Sequence, residues 1–232
     1  GDYIKSEGQA GRMGSKMMAI VVEGPKGRIY LSPNEMHIQT AMKIKAEWTP
    51  DLTISGSTQY LGIKPYGMSN FSNIFSQRQT IALTTFSDLV SEAREQILVD
   101  INSAGVVDDG LSLEAGGQAA SAYVDAVVIF LGLSVGRLAN RSSTLNFWDT
   151  VGEKVQQVFA RQALSMTWDY TEGNPFSSST GSPRALTMAR STIRATRPSP
   201  AYSERYMPAS TPTGTEKLND TATSHNVPTM AG

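Results

Sequence analysis

The sequence predicts a mainly α-helical α+β fold in which a small β-hairpin precedes a group of helices. Residues 16–31 carry the strand pattern, because the apolar stretch 17–22 and the strand-like stretch 28–31 flank turn-forming glycines and a proline at 24–27. Farther along the chain, apolar residues recur at spacings of three and four, which indicates amphipathic helices. A hairpin followed by a helical region is therefore the expected architecture.

The hairpin leads directly into the first predicted helix, which covers residues 33–46. Ser32 can cap its N-terminus, Pro33 suits the first helical position, and Glu35 completes a capping box with Ser32. The apolar side of this helix comprises Met36, Ala41, Met42 and Ile44.

The strongest helical pattern predicts a long helix over about residues 77–103. Ser76 and Gln79 form a second capping box at its start. Gly105 lies just past its end, where a left-handed cap is expected. The apolar residues at helical spacing are Ile81, Phe86, Leu89, Val90, Ala93, Ile97 and Ile101.

The most apolar predicted helix covers about residues 118–139. Asp125 and Arg137 bracket its apolar run, which is shorter than the roughly 20 residues that a membrane span needs. We therefore expect a buried core helix and no membrane partner. Gly132 and Gly136 are four residues apart, a spacing that lets another helix approach closely.

A shorter helix is predicted over about residues 150–163, with Val151, Val155, Val158 and Phe159 facing the interior. Beyond it the composition changes, because residues 181–232 hold six of the eleven prolines and few large aliphatic residues. Such a stretch buries too little apolar surface to offset its ordering entropy. Three regions result: 1–47 with the hairpin and first helix, 48–180 with an irregular loop and the other helices, and 181–232 as a disordered or non-native tail.

Composition excludes several classes of site. The 232 residues include no cysteine, which excludes a disulfide framework, a thiolate metal site and a cysteine nucleophile. Two histidines argue against a histidine-rich zinc site, and a net charge of −1 argues against a strongly basic nucleic-acid binder. The chain starts at Gly1 and has no signal-peptide pattern, so we expect a segment of a longer, cytoplasmic protein.

Two polar stretches suggest ligand binding, and each has a simpler explanation. Residues 8–14 are rich in glycine, and with Arg12 and Lys16 they could hold a phosphate. They match neither the dinucleotide fingerprint nor the P-loop, which favours a flexible lead into the hairpin. Asp108, Asp109 and Glu114 could bind a cation, but they lack the ligand spacing of an EF-hand, which favours a solvated turn.

Aromatic side chains, polar groups and a proline turn gather in one further stretch, at Trp168, Asp169, Asn174, Pro175 and Phe176. The last three look like a shortened Asn/Asp-Pro-Pro-Tyr/Phe motif of amino-methyltransferases. In that motif polar oxygens accept hydrogen bonds from an exocyclic amine, and the aromatic ring stacks on the flipped base. The second proline is missing here, which favours a structural turn of unknown role.

Residues 78–90 of the long helix resemble a segment of the large prokaryotic adenine-specific DNA methyltransferases that carry a domain of unknown function and occur near phage-defence genes. Further stretches fit the same family in the same order. They are residues 3–4, 7–14, 28–33, 66–68, 125–126, 137–141, 148–149, 159–164, 168–170 and 174–177. The resemblance covers about residues 1–180 and stops abruptly after Thr180.

This resemblance implies methyl transfer from S-adenosylmethionine to adenine N6 in DNA, on a Rossmann-like α/β domain. In such proteins the cofactor loop lies upstream of this region and the Asp-Pro-Pro-Tyr catalytic motif lies downstream. Neither motif stands in this chain. We therefore assign no catalytic, cofactor-binding or metal-binding residue, and we expect the chain alone to be inactive.

Two functions stay open. The chain is either the non-catalytic middle of such an enzyme or a helical interaction module that accompanies a DNA-modification or phage-defence system. Expected partners are DNA, the remainder of the parent chain and subunits of a defence system. A third interpretation is a cofactor-free structural protein. Solution behaviour separates it from a severed fragment, which should expose apolar surface and associate. The basic residues singled out for phosphate contact are Arg12, Lys16, Arg78, Arg137, Arg141 and Arg161.

Overall fold

The structure, a computed structural model, describes residues 1–177. The predicted tail at 181–232 lies outside the described residues. Helices dominate the described part, which also contains two small antiparallel sheets, so the predicted mainly helical α+β class is confirmed. In chain order the elements are α1 (Asp2–Gln9), β1 (Ile20–Gly24), β2 (Gly27–Leu31), α2 (Glu35–Met42), α3 (Gln77–Ser103), α4 (Ala120–Ala139), β3 (Trp148–Asp149) and β4 (Lys154–Val155).

The described part of one compact unit is the hairpin, Ala19–Ser32. Ile20 pairs with Leu31 at its open end, and Gly24 pairs with Gly27 at the turn. Gly27 has a φ of +133°, which lies in the region that favours glycine. The predicted hairpin is therefore confirmed, with β1 and β2 shorter than the 16–31 range.

A second compact unit contains Gly1–Met18 and the described chain from Pro33 onward. It begins with α1, a helix that the sequence patterns did not reveal. The helix packs through Gly8, because a Cβ atom there would lie 2.5 Å from the carbonyl oxygen of Tyr66. A Cβ atom at Gly67, which has a φ of +84°, would likewise collide with the Gly8 backbone. Both glycines are needed for this close approach of two backbones.

The helix α2 corrects the predicted boundaries of 33–46. It begins at Glu35 because Asn34, rather than Ser32, caps it: the Asn34 side chain accepts a hydrogen bond from the His37 amide at 3.0 Å. The His37 ring nitrogen Nδ1 accepts one from the Asn34 amide at 3.2 Å, which completes the capping box. Met36 and Met42 of its expected apolar side are exposed.

The long helix α3 begins and ends as predicted. The Ser76 hydroxyl accepts a hydrogen bond from the Gln79 amide, and the Gln79 side chain accepts one from the Ser76 amide. Gly105 has a φ of +69°, as expected just past the helix end. The helix α4 packs against α3 and begins two residues later than the predicted 118.

The expectation that α4 is a buried core helix is wrong. Its buried residues are Ala120, Ala122, Val124 and Leu131, whereas Tyr123, Ile129, Phe130 and Leu133 are exposed. The helix is apolar around most of its circumference, but α3 covers one side only. No atom lies within 4 Å of a Cβ built at Gly132 or Gly136, so no second helix approaches there among the described residues.

Among the described residues, α4 is also the one helix long and apolar enough to cross a membrane, with 17% of its apolar window buried. Length and composition are weak support for a membrane span, because apolar core helices share both.

The helix predicted over 150–163 does not form. Instead β3 pairs antiparallel with β4, and the Asp149 carboxylate accepts hydrogen bonds at 3.0 Å from the amides of Val151 and Gly152. Glu153 takes a φ of +45° in the same turn, and this left-handed conformation interrupts a right-handed helix, so the chain returns as β4. Val155 is buried as expected, whereas Val151 is 94% exposed and Phe159 is also exposed.

A core cluster lies in the irregular parts of the chain. It comprises Ile54, Leu61, Ile63, Ile74, Leu145 and Leu164. Beside it, the fully buried Asn146 donates to the carbonyl oxygens of Asn140 and Gln156 and accepts from the Ser143 amide at 2.6 Å. The Ser143 hydroxyl donates to the carbonyl oxygen of Ile74 at 2.7 Å. We call Ser143 and Asn146 the polar staple, because their side chains hydrogen-bond the backbone of irregular segments that lack the hydrogen-bond ladder of a β-sheet.

Candidate functional site

The first turn of α3 carries the most constrained of the predicted phosphate ligands. Arg78 forms a two-pronged ion pair with Glu172, at 2.7 Å from Nε to Oε2 and 2.8 Å from Nη2 to Oε1. Its third nitrogen, Nη1, donates to the carbonyl oxygen of Ala41 at 2.5 Å. The Glu172 hydrogen bonds raise the pKa of Arg78 above its ordinary value. Arg78 therefore joins three segments that are far apart in sequence.

Aromatic contacts hold the segment after Leu164 to the same part of the fold. The Phe176 ring lies 5.9 Å from the Phe86 ring of α3, centre to centre. The Trp168 ring meets Tyr66 edge-on, with the ring centres 5.1 Å apart and the planes at 87°. Edge-to-face pairs of this kind are favourable, because the positive ring edge meets the negative face. The segment is thus anchored at both ends, although more than half of the Trp168 surface stays exposed.

The residues resembling the amino-methyltransferase motif form a turn. The Asn174 side-chain oxygen accepts a hydrogen bond from the Phe176 amide at 2.9 Å, and its carbonyl oxygen accepts one from Ser177 at 2.9 Å. That side-chain oxygen is already hydrogen-bonded to the Phe176 amide of its own chain, so it is not presented to an exocyclic amine. The geometry favours the structural turn. Asp169 is exposed beside Trp168.

The glycine-rich stretch 8–14 does not form a phosphate cradle. Gly8 ends up against the Tyr66 backbone, and Arg12 makes a two-pronged ion pair with Glu7 at 2.6 and 2.8 Å. This pair lowers the pKa of Glu7 and raises that of Arg12. Lys16 is exposed in the chain between α1 and β1.

The remaining basic residues follow α4. Arg137 is exposed in the last turn of this helix, and Arg141 is half-buried one turn later. Burial lowers the pKa of Arg141, and the nearby positive charge of Arg137 lowers it further. These two cations are therefore brought together, whereas Arg161 is exposed in a separate loop.

The acidic loop has a structural role at the start of α4. Asp108 accepts hydrogen bonds from the Ser121 amide at 3.0 Å and from its hydroxyl at 2.5 Å. Asp109 accepts from the amides of Leu111 and Gln118, both at 3.0 Å. These bonds lower the pKa of both carboxyls. The helix has no side-chain cap of its own, so Asp108 supplies one from the preceding loop.

No group of three or more histidine, aspartate and glutamate side chains in residues 1–177 could hold a metal ion. The residues that sequence patterns missed are Glu172, which fixes Arg78, and Asn146, which fixes the irregular core. Glu172 lies 94 positions from its partner, so no local spacing could have revealed it. The burial of Asn146 likewise depends on segments distant in sequence.

Comparison of the whole chain with models of known protein families, with curated proteins and with solved structures finds no match. The contacts above and the sequence resemblance are therefore the basis for any functional proposal.

Proposed function

We propose that this chain is the central, non-catalytic segment of an S-adenosylmethionine-dependent DNA adenine-N6 methyltransferase. The parent protein would be cytoplasmic and would carry its chemistry on a Rossmann-like α/β domain outside this chain. One observation carries the proposal: the stretches that resemble the family contact one another across long distances in sequence.

Four contacts make up this observation. The stretch 78–90 meets the stretch 174–177 through the Phe86–Phe176 contact. The stretch 7–14 packs against 66–68, where Gly8 meets Tyr66. The Phe159 amide donates to the Asn140 side-chain oxygen at 2.7 Å, and Tyr66 contacts Trp168. These contacts support treating the resembling stretches as parts of one folded unit.

The glycine-rich stretch 8–14 does not fit S-adenosylmethionine. It is closed at Gly8 by the Tyr66 backbone, and Arg12 is paired with Glu7. We therefore assign no step of methyl transfer to this chain. Its role in the parent protein is to hold its own segments together and to present surface to DNA or to another subunit.

For DNA contact, the structure separates the six basic residues. A phosphate would have to displace Glu172 from Arg78 or Glu7 from Arg12, because both guanidinium groups already make two-pronged pairs. Lys16, Arg137 and Arg161 are exposed and project from other segments. These three are the better candidates for phosphate contact, and each would contribute affinity without sequence specificity.

The gene sequence on both sides of this chain, read in all frames, tests the proposal. We expect a cofactor loop of the methyltransferase type upstream and an Asp-Pro-Pro-Tyr motif downstream. An intact gene that contains neither motif would overturn the enzyme proposal.

A second candidate is a helical interaction module that accompanies a DNA-modification or phage-defence system. The exposed apolar side of α4 favours it, because a helix face of this kind is typical of a protein-binding surface. The same gene sequence separates the two candidates, since a module needs no flanking catalytic motif.

A further inference from the structure

The exposed side of α4 has the residue spacing of a helix-pairing seam. Tyr123, Ala126, Phe130, Leu133 and Arg137 follow one another at intervals of three, four, three and four residues. This alternation is the a/d pattern of helices that pack side by side. Ile129 lies next to the seam, and we call these six residues the α4 outer face. Its large apolar members are between 53% and 66% exposed.

We propose that the α4 outer face binds the same face of a second copy of this chain, with the two helices antiparallel. The inference goes beyond the proposed function and does not depend on it. The two ends of the face decide the choice of partner and orientation. One end carries the aromatic ring of Tyr123 and the other carries the cation of Arg137, each seven positions from Phe130.

A two-fold axis at Phe130 would place Arg137 of each copy opposite Tyr123 of the other. A guanidinium over a tyrosine ring is attractive, so the two ends are complementary in the antiparallel arrangement. Parallel helices would instead set the two Arg137 cations against each other. A self-complementary surface of this kind is what a two-fold dimer requires.

A lipid bilayer fits the same face less well. Asp125 and Arg137 interrupt α4, and the uncharged run between them is eleven residues long. This run spans about 16 Å of helix, whereas the hydrocarbon core is about 30 Å thick. The helix α3 also packs against one side of α4, so lipid could contact only the other side.

The size of the face predicts a weak dimer. Covering Tyr123, Ile129, Phe130 and Leu133 on both copies, with the alkyl part of Arg137, buries on the order of 1,000 Å² in total. That area is near the lower limit for a specific interface. We therefore expect a dissociation constant on the order of 10 μM.

Sedimentation equilibrium of the full chain between 1 and 200 μM tests the proposal. We expect a monomer–dimer equilibrium that saturates at the dimer mass. Leu133→Glu should weaken it at least tenfold, because a carboxylate would be buried in the seam. Val151→Glu is the matched control: Val151 is 94% exposed and lies outside α4, so dimerisation should stay unchanged. Circular dichroism verifies that both variants are folded.

Single cysteines test the orientation, since the chain has none of its own. A mixture of Tyr123→Cys and Arg137→Cys chains should form an intermolecular disulfide on mild oxidation. Tyr123→Cys alone should not, because its two copies would lie about 20 Å apart in the antiparallel pair. The antiparallel arrangement would be overturned if Tyr123→Cys chains cross-linked rapidly with one another and formed no disulfide with Arg137→Cys chains in the mixture.

Three further results would overturn the proposal as a whole. They are a monomer at 200 μM, association that grows without limit as concentration rises, and equal dimerisation of wild type and Leu133→Glu. Unlimited association would identify a severed surface that aggregates. A monomer that floats with phosphatidylcholine vesicles would assign the face to lipid. The proposed function is tested by the flanking gene sequence, which does not depend on these results. The two proposals can therefore fail separately.

Discussion

The α3–α4 pair and the irregular stretches 48–75 and 140–177 are built in opposite ways. The helix pair satisfies its backbone internally and leaves large apolar side chains of α4 exposed. The irregular stretches supply all six residues of the core cluster, and side chains such as Asn146 bond their backbone. The core cluster of this protein therefore lies outside its long helices.

This difference has an energetic consequence. Backbone groups buried in irregular segments have no ladder, so their hydrogen bonds depend on single polar side chains. Loss of one such side chain removes hydrogen bonds from several backbone groups at once. On the outer side of α4, by contrast, truncation of an apolar side chain removes little burial within one copy of the chain.

The largest effect is expected for Asn146→Ala. The substitution leaves the carbonyl oxygens of Asn140 and Gln156 and the Ser143 amide without this partner. We expect the free energy of unfolding to fall by about 3–5 kcal/mol. Urea denaturation measures it, with Asn102→Ala on the exposed surface of α3 as the control. A loss as small as the control's would contradict the role of the polar staple.

Truncation of an apolar residue should distinguish the two regions next. Ile63 is fully buried in the core cluster, and Ile63→Ala should cost about 3 kcal/mol. Leu133→Ala should change the stability of the monomer by less than about 0.5 kcal/mol, because Leu133 is 66% exposed. Urea denaturation at 1 μM, below the expected dimerisation range, compares them. Equal losses would mean that α4 is packed as a core helix.

The Arg78–Glu172 pair joins the two regions, and its effect should be smaller. A double-mutant cycle with Arg78→Met and Glu172→Gln should give a coupling of about 1 kcal/mol, since both side chains are partly exposed. The Arg12–Glu7 pair has the same two-pronged geometry at a more exposed position, so its coupling should be smaller. A coupling at Arg78 no greater than that at Arg12 would contradict its role as a clamp.

The smallest effect concerns pH and the start of α4. The pKa of Asp108 is lower in the folded chain than in the unfolded chain, because Ser121 donates to its carboxylate. Its contribution to stability is therefore present above the unfolded value, near 3.9, and is lost as the pH falls through the lower folded value.

Asp108→Asn should remove that part of the pH dependence. Amide hydrogen exchange at Ser121 should become faster in the variant at pH 6, while exchange in the middle of α3 stays unchanged. Unchanged exchange at Ser121 would show that the loop does not cap α4.

Sequence patterns predicted the elements whose signals are local. The Ser76–Gln79 capping box, the helical spacing through α3 and the turn residues of the hairpin all act within a few positions. The helix predicted at 150–163 does not form because Glu153 takes a left-handed φ of +45° and the chain turns back as β4, which pairs with β3. The sequence analysis did not identify the short helix α1, which packs on the rest of the chain through the contact of Gly8 with the Tyr66 backbone.

The candidate site was less predictable than the fold. Arg78 was singled out for phosphate contact, but its role depends on Glu172, a partner 94 positions away. Burial of α4 could not be read from its composition either. A helix that is apolar around its circumference is expected to pack against other protein segments. The sequence does not show whether those segments belong to the same chain.

The most direct test of the proposed function is methyl transfer from labelled S-adenosylmethionine to adenine in DNA. The full-length product of the gene and this chain alone should be assayed side by side. We predict N6-methyladenine with the full-length protein and none with this chain. Methylation by this chain alone, or no methylation by a full-length protein that carries both flanking motifs, would contradict the proposal.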